Sequence, residues 1–232
     1  IRITLAHTFS IEFFSCKLIH VNDVGVAVIV DVVRSRRQTD KPDSRQKLMT
    51  ALNHVNDSIL AVQPLEPTIG DEYQALYRDV PSAIVATLLF RLHLPEPLDC
   101  RFGIGMGKYE PLGSGGYGLI QDGPAWWSAR EAIVEAKRRE KGRNASLRTW
   151  YVTADQTAPD GALTNAYLLC RDQLVSAMSP RNRRLLLGLM TGTSQVEMAT
   201  LEGITQSAVS QSLRRSGALA VLAGTDLLGV ET

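Results

Sequence analysis

Two aspartates are placed where they could act as a pair. Asp31 sits near the end of the apolar run VGVAVIVDVV at 24–33, and Asp71 follows Gly70 in TIGDEYQALY. If a helix joins two parallel strands here, both strands end at the same edge of the sheet. The second strand of the hairpin at 63–78 then inserts beside the first, and the two carboxylates meet. Such a pair suits Mg²⁺, which takes one or two carboxylates with waters and substrate phosphates. Two ions bridged there support in-line displacement at phosphorus. The plainer alternative makes Asp31 a strand cap and Asp71 a turn residue, a place Asp favours for local hydrogen bonding. Glu72 is a third carboxylate beside them, but a continuing pleat turns it to the face opposite Asp71, which weakens it as a ligand. Arg34, Arg36 and Arg37 follow Asp31 directly. They could hold phosphates bidentately at the same edge, or form a solvated loop.

The second constellation is QVEMATLEGITQSAVSQSLR, residues 195–214. Met198, Ala199 and Leu201 supply the packing face of a first helix. Gly203 permits a tight turn. Ile204 packs beneath that turn, Thr205 caps the next helix, and Val209 and Leu213 bury it. That leaves Gln206, Ser207, Ser210, Gln211 and Arg214 on the exposed side. Gln reads adenine bidentately, Ser contacts bases or phosphates, and Arg214 and Arg215 suit phosphates. This is the spacing of a DNA-binding helix-turn-helix, with residues 180–190 as a third helix carrying Arg181, Arg183 and Arg184. The alternative is a helical hairpin that only packs against the rest of the chain. The region 180–232 holds five Arg and four acids. So small an excess gives modest affinity per module and favours a homodimer on double-stranded DNA.

These residues need elements to hold them. The β-branched run at 24–33 reads as a buried strand. After a polar loop, Asp43 or Ser44 caps a helix with Leu48, Leu52, Val55 and Ile59 on one face. Two strands surround the Gly70-Asp71 turn. Pro81 starts a helix with the stripe Ile84, Leu88, Leu89 and Leu92. DCRFGIGMG, residues 99–107, is a strand. The order β-α-β-β-α-β is ferredoxin-like. A glycine-rich loop at 113–118 follows. Asp122 then looks like the N-cap of a long helix to about Glu140, and TWYVT reads as a further strand. Residues 162–178 and everything beyond Pro180 read as helical. The apolar stretch 219–230 reads as a dimer or interdomain element.

Smaller signals bear on the site. Gly103, Gly105 and Gly107 alternate along a strand, so they lie on one face and let a helix or ligand come close. GSGGYG lacks the Lys-Ser/Thr sequel of a phosphate-binding loop, so flexibility is the simpler account. Trp126 and Trp127 point about 100° apart on a helix, which makes one a core residue and leaves the other for an interface or a base. Residues 130–148 carry seven basic residues and three acids. That excess could follow a nucleic-acid backbone or decorate a solvated helix end.

Lys plus Arg is 25 and Asp plus Glu is 24 in 232 residues, for a net charge of +1. This excludes a generally polybasic chain but not local patches. At 44% hydrophobic the chain is too apolar to be disordered. Cys16, Cys100 and Cys170 are widely spaced, which argues for buried free thiols over zinc or disulfides. No apolar run reaches the ~18–20 residues that span a bilayer, and Glu12 and Lys17 interrupt any signal-peptide core. The expected location is the cytoplasm.

IVDVVRSR, TIGDEYQALY, DCRFGIGMG and DGPAWWSAREAI together resemble the SatD family across roughly residues 25–230. Its first domain is similar in turn to class III nucleotide cyclases, whose ferredoxin-like palm uses two aspartates and two metal ions. The resemblance implies that Asp31 and Asp71 match those aspartates, and that Arg130 falls where cyclases carry a catalytic arginine. The chain departs from the cyclase pattern at Trp126, where a substrate-binding Asn stands, and at Thr68, near a base-reading Lys. It departs again after Asp31, where RSR replaces Phe-Thr. The expected fold is α+β: an uncertain extension at 1–23, a cyclase-like domain at 24–156 and a helical domain at 157–232. The leading expectation is a DNA-binding regulator whose palm senses a metal-nucleotide, with Mg²⁺ and nucleotide as candidate ligands. The alternatives are a Mg²⁺-dependent cyclase-type or nucleotidyl phosphotransferase, and a structural dimerisation module without ligand.

Overall fold

The computed structural model describes residues 24–33, 42–68, 70–115, 118–155, 158 and 161–230. The extension at 1–23 with Cys16, and the loop arginines Arg34, Arg36 and Arg37, lie outside the described residues.

The first six elements follow the β-α-β-β-α-β order: β1 (Val24–Val32), α1 (Pro42–Ser58), β2 (Gln63–Pro67), β3 (Glu72–Tyr77), α2 (Val80–His93) and β4 (Cys100–Lys108). They are followed by β5 (Glu110–Gly115), β6 (Gly118–Asp122), α3 (Pro124–Glu140) and β7 (Thr149–Thr153). The remaining elements are helices: α4 (Gly161–Ala177), α5 (Pro180–Met190), α6 (Gln195–Glu202), α7 (Gln206–Arg215) and α8 (Ala218–Asp226). The five-stranded sheet has the order β2-β3-β1-β4-β7. β3 runs antiparallel to both β1 and β2, so β1 and β2 are parallel and β3 inserts between them.

The pleat of β1 sorts its side chains to two layers. Val26, Val28, Val30 and Val32 join the large core that includes α1 and α2. Ala27 and Ile29 point the other way, onto Leu76 and the α3 residues Ala125, Trp126, Ala129 and Ile133. Gly103, Gly105 and Gly107 on β4 share that second face. A Cβ built on Gly105 would lie 2.0 Å from the Ala129 nitrogen and 2.3 Å from the Ala125 oxygen. The alternating glycines therefore serve the approach of a helix, and Ala125, Ala129, Ala132 and Ala136 supply its buried side.

α2 is buried from Ala83 to Leu92, well beyond a one-sided stripe. Its outer side is covered by the later helices, whose Leu168, Val175, Leu185 and Leu186 belong to the same core cluster. α8 fills the space with Ala218, Val221 and Thr225.

Several local expectations need correction. Residues 110–115 and 118–122 pair as a two-stranded antiparallel arm, β5 with β6, that takes in most of the glycine-rich loop expected at 113–118. Glycine weakens a strand signal without forbidding backbone pairing. The N-cap of α3 is Gly123, at φ 122°, not Asp122. The Asp122 carboxylate instead accepts from the Gly123 N–H and the Trp127 Nε1–H. α1 begins at Pro42, ahead of Asp43. Leu201 is 76% exposed, because it lies about 200° round the helix from buried Ala199. Cys100 is a buried thiol, but Cys170 is exposed. Among the described residues no helix is long and apolar enough to cross a membrane.

Candidate functional site

The palm edge is built by register. Asp31 on β1 is opposite Glu72 on β3 and Arg101 on β4. Asp31 continues the odd-numbered face of Ala27 and Ile29, which lies under α3. Glu72 continues the even-numbered face of Leu76, which also lies under α3. Glu72 and Asp31 therefore share a face, contrary to the pleat count. The count failed because residues 70 and 71 are the turn, and the strand starts at Glu72. Asp71 is exposed at the tip beside Gly70, which adopts φ 77°.

Each carboxylate on that face already has a cation. Arg101 Nη1 donates to Asp31 Oδ2 at 3.0 Å. Arg130, brought over the edge by α3, grips Glu72 with Nη1 to Oε2 at 2.6 Å and Nη2 to Oε1 at 2.8 Å. Gln74 Nε2 adds a third hydrogen bond to Glu72. Burial pushes the Glu72 carboxyl up, but the hydrogen bonds from Arg130 and Gln74 outweigh it and hold it below the usual range. The Glu72 fork raises Arg130 in turn. A cleft of about 170 Å³ opens between these groups, lined by Asp31, Glu72, Arg130, Ile133, Val134 and Lys137. Among the described residues, no three His, Cys, Asp or Glu groups gather as a metal site. Asp31 and Glu72 can contribute to a cation site only by exchanging their arginine partners.

Of the adjacent tryptophans, one of which was expected in the core, Trp126 is 8% exposed against the sheet, while Trp127 is 62% exposed. Trp127 and Val134 flank Arg130 on the outer side of α3. The basic stretch at 130–148 is mostly spent on internal pairs. Arg138 and Arg139 bind Glu135, Arg139 also lies 4.0 Å over the Trp150 ring, and Arg148 binds Asp99 and Glu140.

Arg148 belongs to a chain of ion pairs that sequence alone does not reveal. From Asp31 it runs through Arg101, Glu140, Arg148, Asp99 and Arg91 to Asp172 and Arg171. Asp172 is fully buried and accepts from the backbone N–H groups of Arg148 and Thr149 at 2.8 and 2.7 Å. Arg171 donates to Thr149 Oγ1 and to the Ile84 carbonyl. Burial pushes the Asp99 carboxyl up, but Arg91 and Arg148 together hold it below its ordinary value. The chain links the palm edge to α4, the first of the C-terminal helices.

The second candidate is the α6–α7 pair. Ser194 caps α6, its hydroxyl accepting from the Glu197 N–H at 3.2 Å. Gly203 takes the left-handed conformation at φ 64° that the turn requires. Thr205 caps α7 by accepting from the Ala208 N–H, and Val209 and Leu213 are buried. Ile204 packs against the core beneath the turn. Gln206, Ser207, Gln211, Arg214 and Arg215 are exposed, and Ser210 is half-buried. Gln206 donates to Gln195 Oε1 at 2.9 Å, and the Ser207 and Thr205 hydroxyls share a hydrogen bond. Arg181 and Arg184 are held by Glu202.

Sheet order and inserted hairpin define an α+β protein with a ferredoxin-like sheet, followed by helices that include a helix-turn-helix. The SatD family model matches residues 25–225, and the chain belongs to that family. No curated protein matches it in sequence. Solved structures similar to it include the catalytic core of a rhodopsin-guanylyl cyclase with converted specificity in complex with ATPalphaS. That one is 13% identical at TM-score 0.38, over 49% of this chain and 72% of the other. The guanylyl cyclase Cya2 is 12% identical at TM-score 0.33, over 54% and 82%. A regulator of polyketide synthase expression from Bifidobacterium adolescentis is 14% identical at TM-score 0.26, over 89% and 81%.

Proposed function

We propose that this SatD-family chain is a DNA-binding regulator, acting as a homodimer, whose palm edge takes a metal-nucleotide or other phosphorylated ligand. The observation that carries DNA binding is the second helix of the α6–α7 pair. It is capped, buried along Val209 and Leu213, and polar to basic along its outer face. In a helix-turn-helix that face enters the major groove. Gln206 and Gln211 then read base edges, Ser207 and Ser210 support them, and Arg214 and Arg215 bind the phosphates that flank the groove.

The palm supports ligand sensing through partner exchange. A phosphorylated ligand carrying Mg²⁺ offers an anion to Arg130 and Lys137, and a cation to Asp31 and Asp71. Releasing Arg101 from Asp31 frees the first link of the ion-pair chain that leads to α4. Loop residues Arg34, Arg36 and Arg37 would add phosphate contacts at the same edge.

DNA binding is tested by fluorescence anisotropy on random-sequence duplex at low salt, followed by selection of a preferred site. Absence of any salt-dependent binding sinks it. The alternative, Mg²⁺-dependent phosphotransfer on a nucleoside triphosphate, is favoured by Asp31, Glu72 and Arg130 sharing one cleft. It requires turnover that Asp31→Ala and Asp71→Ala abolish. Turnover unchanged in both variants refutes the assignment.

A further inference from the structure

A second polar cleft lies away from the palm edge, where the sheet meets the C-terminal helices. It measures about 280 Å³ and is lined by Val33, the 96–99 turn, Glu140, Arg148 and Arg183. Most of its charges are already satisfied. Arg148 holds Asp99 and Glu140 and donates to the Ala145 and Leu147 carbonyls. Asp99 is shared by Arg91 and Arg148, and Glu140 by Arg101 and Arg148.

Arg183 differs. Its side chain is only 13% exposed, yet its Nε makes a single hydrogen bond, to the Val175 carbonyl at 3.2 Å. Its nearest carboxylate is Glu96 Oε1, at 4.0 Å from Nη1 and so beyond hydrogen-bond reach. Burial lowers the guanidinium's affinity for its proton, the Arg91 and Arg148 charges lower it further, and the Asp99 and Glu96 carboxylates offset this only in part. The two Nη groups are not sealed off but open onto the cleft, where an acceptor can complete the fork. Glu96 has the right chemistry but is 53% exposed and stands off.

We propose that this cleft binds a small monocarboxylate, whose carboxylate fills the Arg183 fork in place of Glu96. A guanidinium takes a carboxylate bidentately, and Glu96 marks where that group sits. A singly charged ligand is favoured over a phosphate dianion, because Asp99, Glu140 and Glu96 surround the position. The site is separate from the Asp31 cleft and does not depend on nucleotide or DNA binding. By joining the 96–99 turn to α5, its occupant ties the sheet to the C-terminal helices.

The test is thermal shift and calorimetry on the full chain with acetate, lactate, pyruvate and inorganic phosphate as probes. At least one monocarboxylate should raise the melting temperature saturably, and inorganic phosphate should do less. Arg183→Gln should weaken that binding about tenfold or more, the scale of a lost charge-assisted hydrogen bond. If Arg183→Gln fails to fold, Glu96→Gln carries the test, since Glu96 is exposed and has no other partner in the ion-pair chain. Removing the competing carboxylate should tighten monocarboxylate binding severalfold. The proposal is overturned if no monocarboxylate binds wild type or Glu96→Gln, or if Glu96→Gln binds more weakly than wild type. Tighter binding of phosphate than of every carboxylate, or unchanged binding in a folded Arg183→Gln, overturns it equally.

Discussion

Substituting Gly105 by Ala drives a methyl group into the backbone of α3. The new carbon would meet Ala129 N at 2.0 Å, Ala125 O at 2.3 Å and Ala129 Cα at 2.7 Å. Carbon contacts are comfortable at about 3.5–4.0 Å, so the helix must retreat by about 1 Å or more. No side-chain rotation relieves this, because all three obstacles are main chain. Overpacking typically costs about 1–3 kcal/mol, and contacts this short belong at the top of that range or above. Gly103→Ala meets Ala129 O at 2.2 Å and Ile133 N at 2.5 Å and should cost nearly as much. Gly107→Ala meets its nearest atoms at 2.9–3.1 Å, and about 1 kcal/mol is expected. With a urea slope of about 2 kcal/mol/M, a loss of about 3 kcal/mol lowers the midpoint by about 1.5 M. Equilibrium urea unfolding of the three variants should give the order Gly105 ≥ Gly103 > Gly107 in stability lost. A retreating α3 also pulls Arg130 off Glu72, so ligand binding at the palm edge should weaken in any folded Gly105→Ala protein. A Gly105→Ala midpoint equal to wild type, or a larger loss for Gly107→Ala, refutes the account of helix approach.

Other consequences can be checked independently. Asp172→Asn leaves Arg171, 2% exposed, without its adjacent carboxylate and should cost about 3–5 kcal/mol, the range for breaking a buried ion pair, in the same urea assay. His93 stacks on His54 with ring centroids 4.5 Å apart, and burial together with the His54 charge lowers its pKa to about 4. It stays neutral in the folded chain while the unfolded chain takes up a proton near its ordinary value. Stability at neutral pH is therefore unaffected and is lost as pH falls from about 6.5 towards 4. His93→Gln should gain on wild type in urea midpoint at pH 5 relative to pH 7.5, and a pH-independent difference contradicts this.

What the sequence discloses follows the range of the interactions. Most of the helix-turn-helix was legible, because its turn glycine Gly203, the cap Thr205 and the packing pair Val209 and Leu213 lie close together in sequence. The β-α-β-β-α-β order was legible from local patterns, and the alternating glycines on β4 disclosed a close approach without deciding between a helix and a ligand. Leu201 was misplaced because a helix of eight residues gives little periodicity to count. Glu72 was misplaced because a pleat cannot be counted through a turn. The pairing of β5 with β6 was hidden by glycines that carry no strand signal. The ion-pair chain was illegible for a different reason. Its links join Asp31 to Arg101, Arg101 to Glu140 and Asp99 to Arg148. Only the fold brings such distant residues together, so a stretch rich in Arg reads as a free cationic surface. Arg183 was legible as a basic residue of a bundle helix, and its place in the wall of a polar cleft was not.

The central claim is that the outer face of α7 binds DNA. Its most direct measurement is duplex affinity as a function of salt, for wild type and for Gln211→Ala with Arg214→Ala, once a preferred duplex has been selected. Wild type should bind with a negative slope of log affinity against log salt. Losing the Arg214 phosphate contact should flatten that slope by about 0.9 per module, and losing the Gln211 base contact should cost about 1–3 kcal/mol on the preferred duplex. An affinity and slope unchanged in the double variant, or no binding by wild type at low salt, would contradict the account.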